Sequence, residues 1–209
     1  MGLGTPRGKV RVIPYAADTR RFVPGGAKPP GESCTFLFAG GITQRKGIKY
    51  LLDAWQAVRR PGWTLQLLGA LPADPRPLDG RLDGVELLGR VGHADVPALM
   101  AAADVFVFPS LFEGSAVVTY EALACGLPCV TTPNAGSVVR HGLDGLIVPA
   151  ADSGSLGVAM VRLGTDPRLR RAMGSSARSR AEAFDWPRYH AAVNAAVGSV
   201  IPEAAGVVP

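Results

Sequence analysis

Short, continuously apolar runs alternate along the chain with segments in which apolar residues recur at helical spacing. The apolar runs fall at residues 35–40, 63–70, 85–91, 105–110, 127–133 and 145–149. Runs of this length, closed by glycine or proline, are typical of strands that are buried on both faces of a sheet. Segments 46–60, 94–104 and 116–126 lie between these runs and have the apolar spacing of helices.

This alternation predicts an α/β fold with a doubly wound parallel sheet, Rossmann-like, because parallel strands need helical crossovers that cover both faces. Ligands of such sheets bind at the carboxyl ends of the strands. We therefore expect the strand exits that carry glycine to meet at one edge of the sheet. These exits are Gly40-Gly41, Gly69, Gly89-Arg90 and residues 109–114.

The two ends of the chain do not follow the alternation. Residues 10–26 are interpreted as one short strand followed by turns, and a helical turn is expected at 136–142. Two helices are expected between residues 153 and 184, broken near Asp166-Pro167, and a last helix after Trp186-Pro187. The predicted units are a connector at 1–30, a Rossmann-like domain at 31–185, and a C-terminal helix and tail at 186–209.

Charge and composition limit the class of partner. Of the 209 residues, 22 are Lys or Arg and 17 are Asp or Glu, so the net charge is +5. This balance suits an anionic ligand or an anionic membrane surface, whereas the scattered arginines, seldom beside aromatic residues, predict no nucleic-acid partner. No apolar run reaches the ~20 residues of a membrane span and no signal-peptide pattern is seen, so we expect a cytoplasmic protein.

Several residues are expected to be structural. Cys34, Cys125 and Cys129 form no CxxC pair and have no histidine or aspartate at ligand spacing, which predicts reduced, mostly buried thiols and no metal site. His93 precedes a helix and is expected to be a cap or surface residue. Asp144 is expected to form a turn with the glycine that follows it.

The first candidate site is the turn AGGITQRKG at residues 39–47. Gly40 and Gly41 let the backbone approach a ligand, and Arg45 and Lys46 could hold phosphate groups at the start of the next helix. The turn matches neither the GxGxxG fingerprint nor the P-loop, which argues against an NAD-dependent oxidoreductase or an epimerase. On this stretch alone, a tight turn with two solvated cations is the alternative.

The second candidate site is the segment EGSAVVTYE, which places Glu113 and Glu121 eight residues apart. The amides of residues 114–118 begin the following helix and, with its dipole, would bind a phosphate or a sugar hydroxyl. A carboxylate accepts hydrogen bonds from two neighbouring hydroxyls, so Glu113 could bind a sugar and Glu121 a ribose. The local alternative is a partner of the helix dipole at Glu113 and a solvated face at Glu121.

Together these segments resemble the C-terminal half of a GT-B retaining glycosyltransferase of the glycosyl transferases group 1 type. The resemblance is carried by VIPYAADTRRFVP, FAGGITQRKGIKYLLDAW, VELLGRV and the long run from LMAAADVFVFPS to HGLDGLIVP, in which seven residues separate two glutamates. It covers most of the chain. It implies a Rossmann-like half of a GT-B fold whose N-terminal, acceptor-binding half is missing.

The resemblance implies a site for a UDP-, GDP- or ADP-linked hexose, with no cofactor and no metal ion. Arg45 and Lys46 would neutralise the donor diphosphate. Glu113 would bind hydroxyls of the transferred sugar, and Glu121 would bind the ribose. The other implied substrate-binding residues are Gly40 and Gly41 at the first strand exit, Arg90 and Val91 beside the base, and Gly114, Ser115, Ala116, Val117 and Val118 around the sugar and phosphates.

The implied activity is transfer of the hexose to an unidentified acceptor, and this chain alone would be weak or inactive. The alternative is a non-catalytic nucleotide-sugar-binding or scaffolding module. Peripheral contact with the inner face of a membrane is compatible with the resemblance.

The chain departs from the family pattern at the two candidate sites. Gly41 stands where the family often has arginine, a role that Arg45 could take over. Ala116 and the pair Val117-Val118 replace a glycine and a Leu-Pro pair. An extra methyl group at Ala116 would narrow the sugar pocket or shift its loop, which bears on donor choice.

Overall fold

The computed structural model describes residues 6–26, 33–71, 78 and 80–199 of the chain. Its strands are β1 (Cys34–Ala39), β2 (Trp63–Leu68), β3 (Val85–Gly89), β4 (Val105–Phe108), β5 (Cys129–Thr131) and β6 (Gly145–Ile147). Its α-helices are α1 (Ile48–Val58), α2 (Val96–Ala102), α3 (Val117–Ala124), α4 (Ser153–Thr165), α5 (Pro167–Glu182) and α6 (Trp186–Gly198). The predicted alternation of strands and helices is confirmed, including the break near Asp166.

All of these strands run parallel, in the order β3-β2-β1-β4-β5-β6. The chain builds outward from β1 to one edge and then returns to β4 on the other side, which confirms the doubly wound, Rossmann-like fold. Consecutive side chains of β1, Phe36, Leu37 and Phe38, are all fully buried. Because neighbouring strand residues face opposite sides, both faces of the sheet are covered, which explains the unbroken apolar runs.

The helices pack in two main pairs, α1 with α4 and α3 with α5. Trp55 of α1 is fully buried, with its indole ring edge-on to Phe36 of β1. The ring N–H donates to the Asp83 carbonyl at 2.9 Å. This hydrogen bond satisfies the one polar group of the indole, so the large ring fills the core without leaving a buried donor unpaired.

Two local predictions are wrong. Residues 10–26 contain no strand, and only Ala17 forms an isolated bridge, to Asp185. Part of this segment contacts the C-terminal helices instead: Arg178 of α5 donates to the Thr19 and Phe22 carbonyls, and Tyr15 stacks on Tyr189 of α6. The expected turn at 136–142 lies earlier, at Pro133–Ala135, because Gly136 takes the left-handed conformation with φ 60° and ends it. The division into three units stays a prediction.

The composition-based expectations can be checked in part. None of the helices in the described residues is long and apolar enough to cross a membrane. The three cysteines are buried, as predicted. Burial raises the pKa of the Cys125 thiol to about 12, and the pKa of Cys129 also lies above its usual value, so both thiols are protonated at neutral pH.

Asp144 does more than form the predicted turn. Its fully buried carboxylate accepts hydrogen bonds from the Arg140 guanidinium at 2.7 and 2.8 Å and from the Ser176 hydroxyl at 2.7 Å. Burial alone would raise the pKa of this carboxyl, but the bonds from Arg140 and Ser176 outweigh it and hold the pKa below its usual value. The ionised carboxylate therefore ties the turn before β6 to α5.

Asp144→Ala should lower the free energy of unfolding by about 2 kcal/mol, because Arg140 and Ser176 lose their acceptor. Urea denaturation followed by circular dichroism measures this loss. Asp83→Ala is the matched control. It removes the ion pair between Asp83, whose side chain is 73 % exposed, and Arg59, and it should lower the free energy of unfolding by less than about 1 kcal/mol. Equal losses in the two variants would contradict the anchoring role of Asp144.

Candidate functional site

Backbone contacts between glycines join the exits of β1, β2 and β3. The Gly40 N–H donates to the Leu68 carbonyl at 2.8 Å, and the Gly69 N–H donates to the Gly89 carbonyl at 2.9 Å. Gly69 has a φ of +150°, and a Cβ atom there would stand 1.8 Å from the Gly40 carbonyl oxygen. Only glycine permits this approach. The strand exits therefore lie side by side, as predicted.

A groove of about 440 Å³ lies between these exits and the loop after β4. The predicted site residues that line it are Gly40, Gly41, Lys46, Arg90, Val91, Glu113, Ser115, Ala116, Val117, Val118 and Glu121. Two predicted residues lie beside the groove: Gly114 in the same loop, and Arg45, which reaches Glu113 with its guanidinium. The fold brings the predicted residues together, and the role of each in binding stays a prediction.

Glu113 links the turn after β1 to the loop after β4. Its Oε1 accepts hydrogen bonds from Arg45 Nη1 at 2.6 Å, from Lys46 Nζ at 2.7 Å and from Ser110 Oγ at 3.0 Å. Burial alone would raise the pKa of Glu113, but the bonds from Lys46, Ser110 and Arg45 outweigh it, so the pKa lies below its usual value. The side chain is therefore ionised at neutral pH.

The two cations have well-defined positions. The Lys46 side chain is only 17 % exposed, and its ammonium lies 5.0 Å from the centre of the Phe108 ring, a cation–π contact. Arg45 is more exposed and also donates to the Phe112 carbonyl at 3.1 Å. The Arg45 carbonyl accepts from the Leu111 N–H at 2.9 Å, which fixes the turn against the neighbouring loop. Both cations thus face one region, as an anion site requires.

The turn after β5 supports the loop that carries Glu113. The hydrogen bonds between them include Glu113 N–H to the Asn134 carbonyl at 2.9 Å, Ala116 N–H to the Ala135 carbonyl at 3.1 Å, and Ser115 Oγ to the Gly136 carbonyl at 3.0 Å. Gly136 is required here, because a Cβ atom would lie 2.5 Å from the Gly114 carbonyl oxygen. The loop after β4 is therefore held from both sides, by the turn after β1 and by the turn after β5.

These bonds correct one prediction about the amides of residues 114–118. The Ala116 amide is committed to Ala135, so it is not available to a ligand. Helix α3 begins at Val117, and the amides of Val117 and Val118 lie in its first turn, where a helix offers them no internal partner. The set of amides that can face a ligand is therefore narrower than the sequence predicted.

Glu121 lies on the groove beside His93, for which the sequence predicted only a cap or surface position. Burial raises the pKa of Glu121, and His93 and Arg21 partly offset this rise. The His93 Nε2 atom is 3.9 Å from Glu121 Oε1, and His93 also lines the groove. His93 is 68 % exposed, which confirms the predicted surface position, but its place on the groove was not predicted. Its position two residues after Val91, beyond a strand exit, is the signal that could have found it.

A second cleft, of about 500 Å³, lies near the amino ends of the strands. None of the predicted site residues lines it. Two of its arginines serve the fold: Arg178 donates to the carbonyls of Thr19, Phe22 and Ala124, and Arg170 donates to those of Leu163 and Gly164. The groove at the carboxyl ends of the strands is thus the candidate functional site.

The two glutamates of the groove should titrate on opposite sides of the ordinary value of 4.5, with the pKa of Glu113 below it and the pKa of Glu121 above it. Glu113 then contributes stability above pH 4.5 that is lost as the pH falls through its folded pKa, whereas the charge of Glu121 opposes folding at higher pH. Carboxyl ¹³C NMR titration measures both, with assignments from Glu113→Gln and Glu121→Gln. If the pKa values of both glutamates lay on the same side of 4.5, the contacts described for Glu113 and Glu121 would be contradicted.

A family model matches the part of the chain that contains the groove. The family model described as "Glycosyl transferases group 1" matches residues 33–166. A D-inositol 3-phosphate glycosyltransferase of Pseudarthrobacter chlorophenolicus is 33 % identical, with coverage of 95 % of this chain and 54 % of that protein. The chain therefore spans about half the length of the curated relatives it matches.

Solved structures agree with the fold. Sucrose-phosphate synthase from Thermosynechococcus elongatus has a TM-score of 0.80 and 27 % identity, with coverage of 91 % of this chain and 52 % of that one. Anabaena HepE, in a complex with UDP and glucose, has a TM-score of 0.79 at 21 % identity, with coverage of 94 % and 59 %, and shows likeness of fold alone. The resemblance to one half of a GT-B glycosyltransferase is confirmed. The family model matches more than half of the 209 residues of this chain, so the chain belongs to the glycosyl transferases group 1 family.

Proposed function

We propose that the chain is the donor-binding half of a retaining glycosyltransferase, which transfers a hexose from a nucleoside diphosphate sugar to an acceptor. The observation that carries the proposal is the placement of Lys46 and Glu113 on the same groove as Glu121, with Arg45 beside the groove and bonded to Glu113. A nucleotide sugar presents sugar hydroxyls, a diphosphate and ribose hydroxyls in one molecule. The groove offers carboxylates for the hydroxyls and cations for the phosphates.

The reaction breaks the bond between the anomeric carbon and a diphosphate oxygen. Negative charge then grows on the leaving diphosphate, and positive charge grows on the sugar ring. Arg45 and Lys46, with the amides of Val117 and Val118 at the start of α3, would stabilise the leaving group through donors that are already in position. Because these groups supply positive charge at the diphosphate, we propose that departure needs no metal ion.

The two carboxylates would hold the ligand on either side of the diphosphate. Glu113 is ionised and would accept hydrogen bonds from hydroxyls of the transferred sugar. Glu121 would accept from the ribose, and Arg90 and Val91 would flank the base. Gly40 and Gly41, without side chains, would let the ligand lie close to the backbone of the first strand exit.

The relatives support a donor site and imply a second half. HepE, which has the same fold, was crystallised with UDP and glucose. Since the chain spans about half of its curated relatives, we propose that transfer requires an N-terminal acceptor-binding domain. Retention of the anomeric configuration and peripheral membrane contact belong to the same proposal and rest on the family resemblance. A cytoplasmic location is also proposed, from the sequence pattern.

Lys46→Ala should weaken the binding of UDP, GDP or ADP, whichever binds the wild-type chain, by roughly tenfold to a hundredfold. The reason is the loss of a charge-assisted hydrogen bond to the diphosphate. Isothermal titration calorimetry measures the affinities. Lys49→Ala is the matched control, since it removes a nearby cation that pairs instead with Asp53 at 2.6 Å, and it should leave binding within about twofold.

Two results would contradict the donor site. One is a wild-type chain that binds none of the three nucleotides. The other is an equal affinity in the Lys46→Ala and Lys49→Ala variants, since the turn after β1 would then have no special contact with the phosphates.

A further inference from the structure

One carboxylate oxygen accepts hydrogen bonds from both cations of the turn after β1. Glu113 Oε1 accepts hydrogen bonds from Arg45, Lys46 and Ser110, and the glutamate side chain is only 10 % exposed. The two cations are the groups that the proposed function assigns to the diphosphate. Their N–H groups therefore have two possible acceptors of the same chemical kind, a carboxylate built into the protein and a phosphate brought by the ligand.

We propose that Glu113 competes with the diphosphate for Arg45 and Lys46, and that this competition selects a nucleotide sugar over the bare nucleoside diphosphate. The inference rests on the proposed function and assigns a specificity to the same site. Its consequence is that the bare nucleotide, which is the product of sugar transfer, binds less well than it would if residue 113 carried no carboxylate.

The selection follows from the hydrogen bonds that Glu113 must keep. A diphosphate that draws Arg45 and Lys46 to its own oxygens removes two donors from a carboxylate with little access to water. The carboxylate then keeps the Ser110 hydroxyl but loses both cationic donors, and this loss costs free energy. Sugar hydroxyls can donate to Glu113 in place of the cations, whereas a bare nucleoside diphosphate carries no group there. Only a ligand with both parts satisfies both sets of groups.

The packing of Lys46 limits how well it can bind both anions at once. Its side chain is 17 % exposed, and its ammonium lies beside the Phe108 ring and 2.7 Å from Glu113 Oε1, so a movement toward a phosphate weakens its bond to the carboxylate. Arg45 is freer, because its side chain is 55 % exposed and its Nη1 keeps the Phe112 carbonyl as a partner after leaving the carboxylate. The competition should therefore depend mainly on Lys46.

Calorimetric titration with pyrophosphate, UDP and UDP-glucose tests the competition. Glu113→Gln should tighten the binding of pyrophosphate and UDP about threefold to tenfold, because a neutral amide holds the two cations less strongly than a carboxylate does. UDP-glucose should gain less than UDP. The preference of the chain for the sugar-bearing ligand should therefore fall.

Two further variants separate the contact from the charge. Glu113→Asp keeps the charge but withdraws the carboxylate by one methylene, and it should also tighten pyrophosphate binding. Glu121→Gln removes an equal charge from the same groove without touching the two cations, and it should change pyrophosphate affinity less than about twofold. Equal gains in Glu113→Gln and Glu121→Gln, or no gain in Glu113→Gln, would overturn the inference. Circular dichroism checks that each variant folds. If Glu113→Gln does not fold, the pyrophosphate affinity of Glu113→Asp tests the inference instead.

The outcomes also separate this inference from the proposed function. If the wild-type chain binds UDP through Lys46 but neither Glu113 variant gains affinity, the competition is wrong and the donor site stands. If no variant binds UDP, GDP or ADP but both Glu113 variants gain affinity for pyrophosphate, the competition stands and the nucleotide site is wrong. If no ligand binds any variant, both are wrong.

Discussion

Parallel pairing of all the strands in the sheet is the constraint on which the candidate site depends. It brings every carboxyl end to one edge, so residues from 40 to 121 in the sequence can line one groove. The approach of neighbouring exits is limited by backbone volume, and Gly69 meets this limit by lying directly against the Gly40 carbonyl. Side-chain-free exits therefore do two things at once: they let the strands close up, and they leave the groove accessible to a ligand.

Within that groove, two glutamates of the same chemical type have opposite electrostatic environments. Glu113 faces three donors that outweigh its burial, so the fold favours its ionised form. Among the described residues, Glu121 has the His93 imidazole at 3.9 Å and Arg21 to offset its burial, and the fold still opposes its charge. A hydroxyl-bearing ligand would help Glu121 by donating hydrogen bonds to its carboxylate. At Glu113 the same hydroxyls would instead replace donors that the protein already provides.

The sequence predicted what depends on periodicity and strand ends, and it missed what depends on tertiary hydrogen bonds. The apolar runs placed the strands, and the strand-exit rule gathered Lys46, Arg90 and Glu121 around one groove, because local spacing and chain direction determine both. The use of the Ala116 amide by Ala135 was not predictable, since it depends on how the turn after β5 docks. The absence of a strand in residues 10–26 was missed for the same reason, because apolar content alone does not show whether a neighbouring strand is available for pairing.

The alanine at position 116 shows how a departure from the family pattern can be judged by its backbone. Ala116 has φ −86° and ψ 93°, an extended conformation open to any L-residue, so the added methyl group imposes no strain on the loop. Its amide is bound to Ala135, and the residue is nearly buried. The loop has no reason to shift, and the methyl group takes little of the groove. In the proposed donor site, the choice of sugar should therefore depend less on Ala116 than on which hydroxyls can replace Arg45 and Lys46 at Glu113.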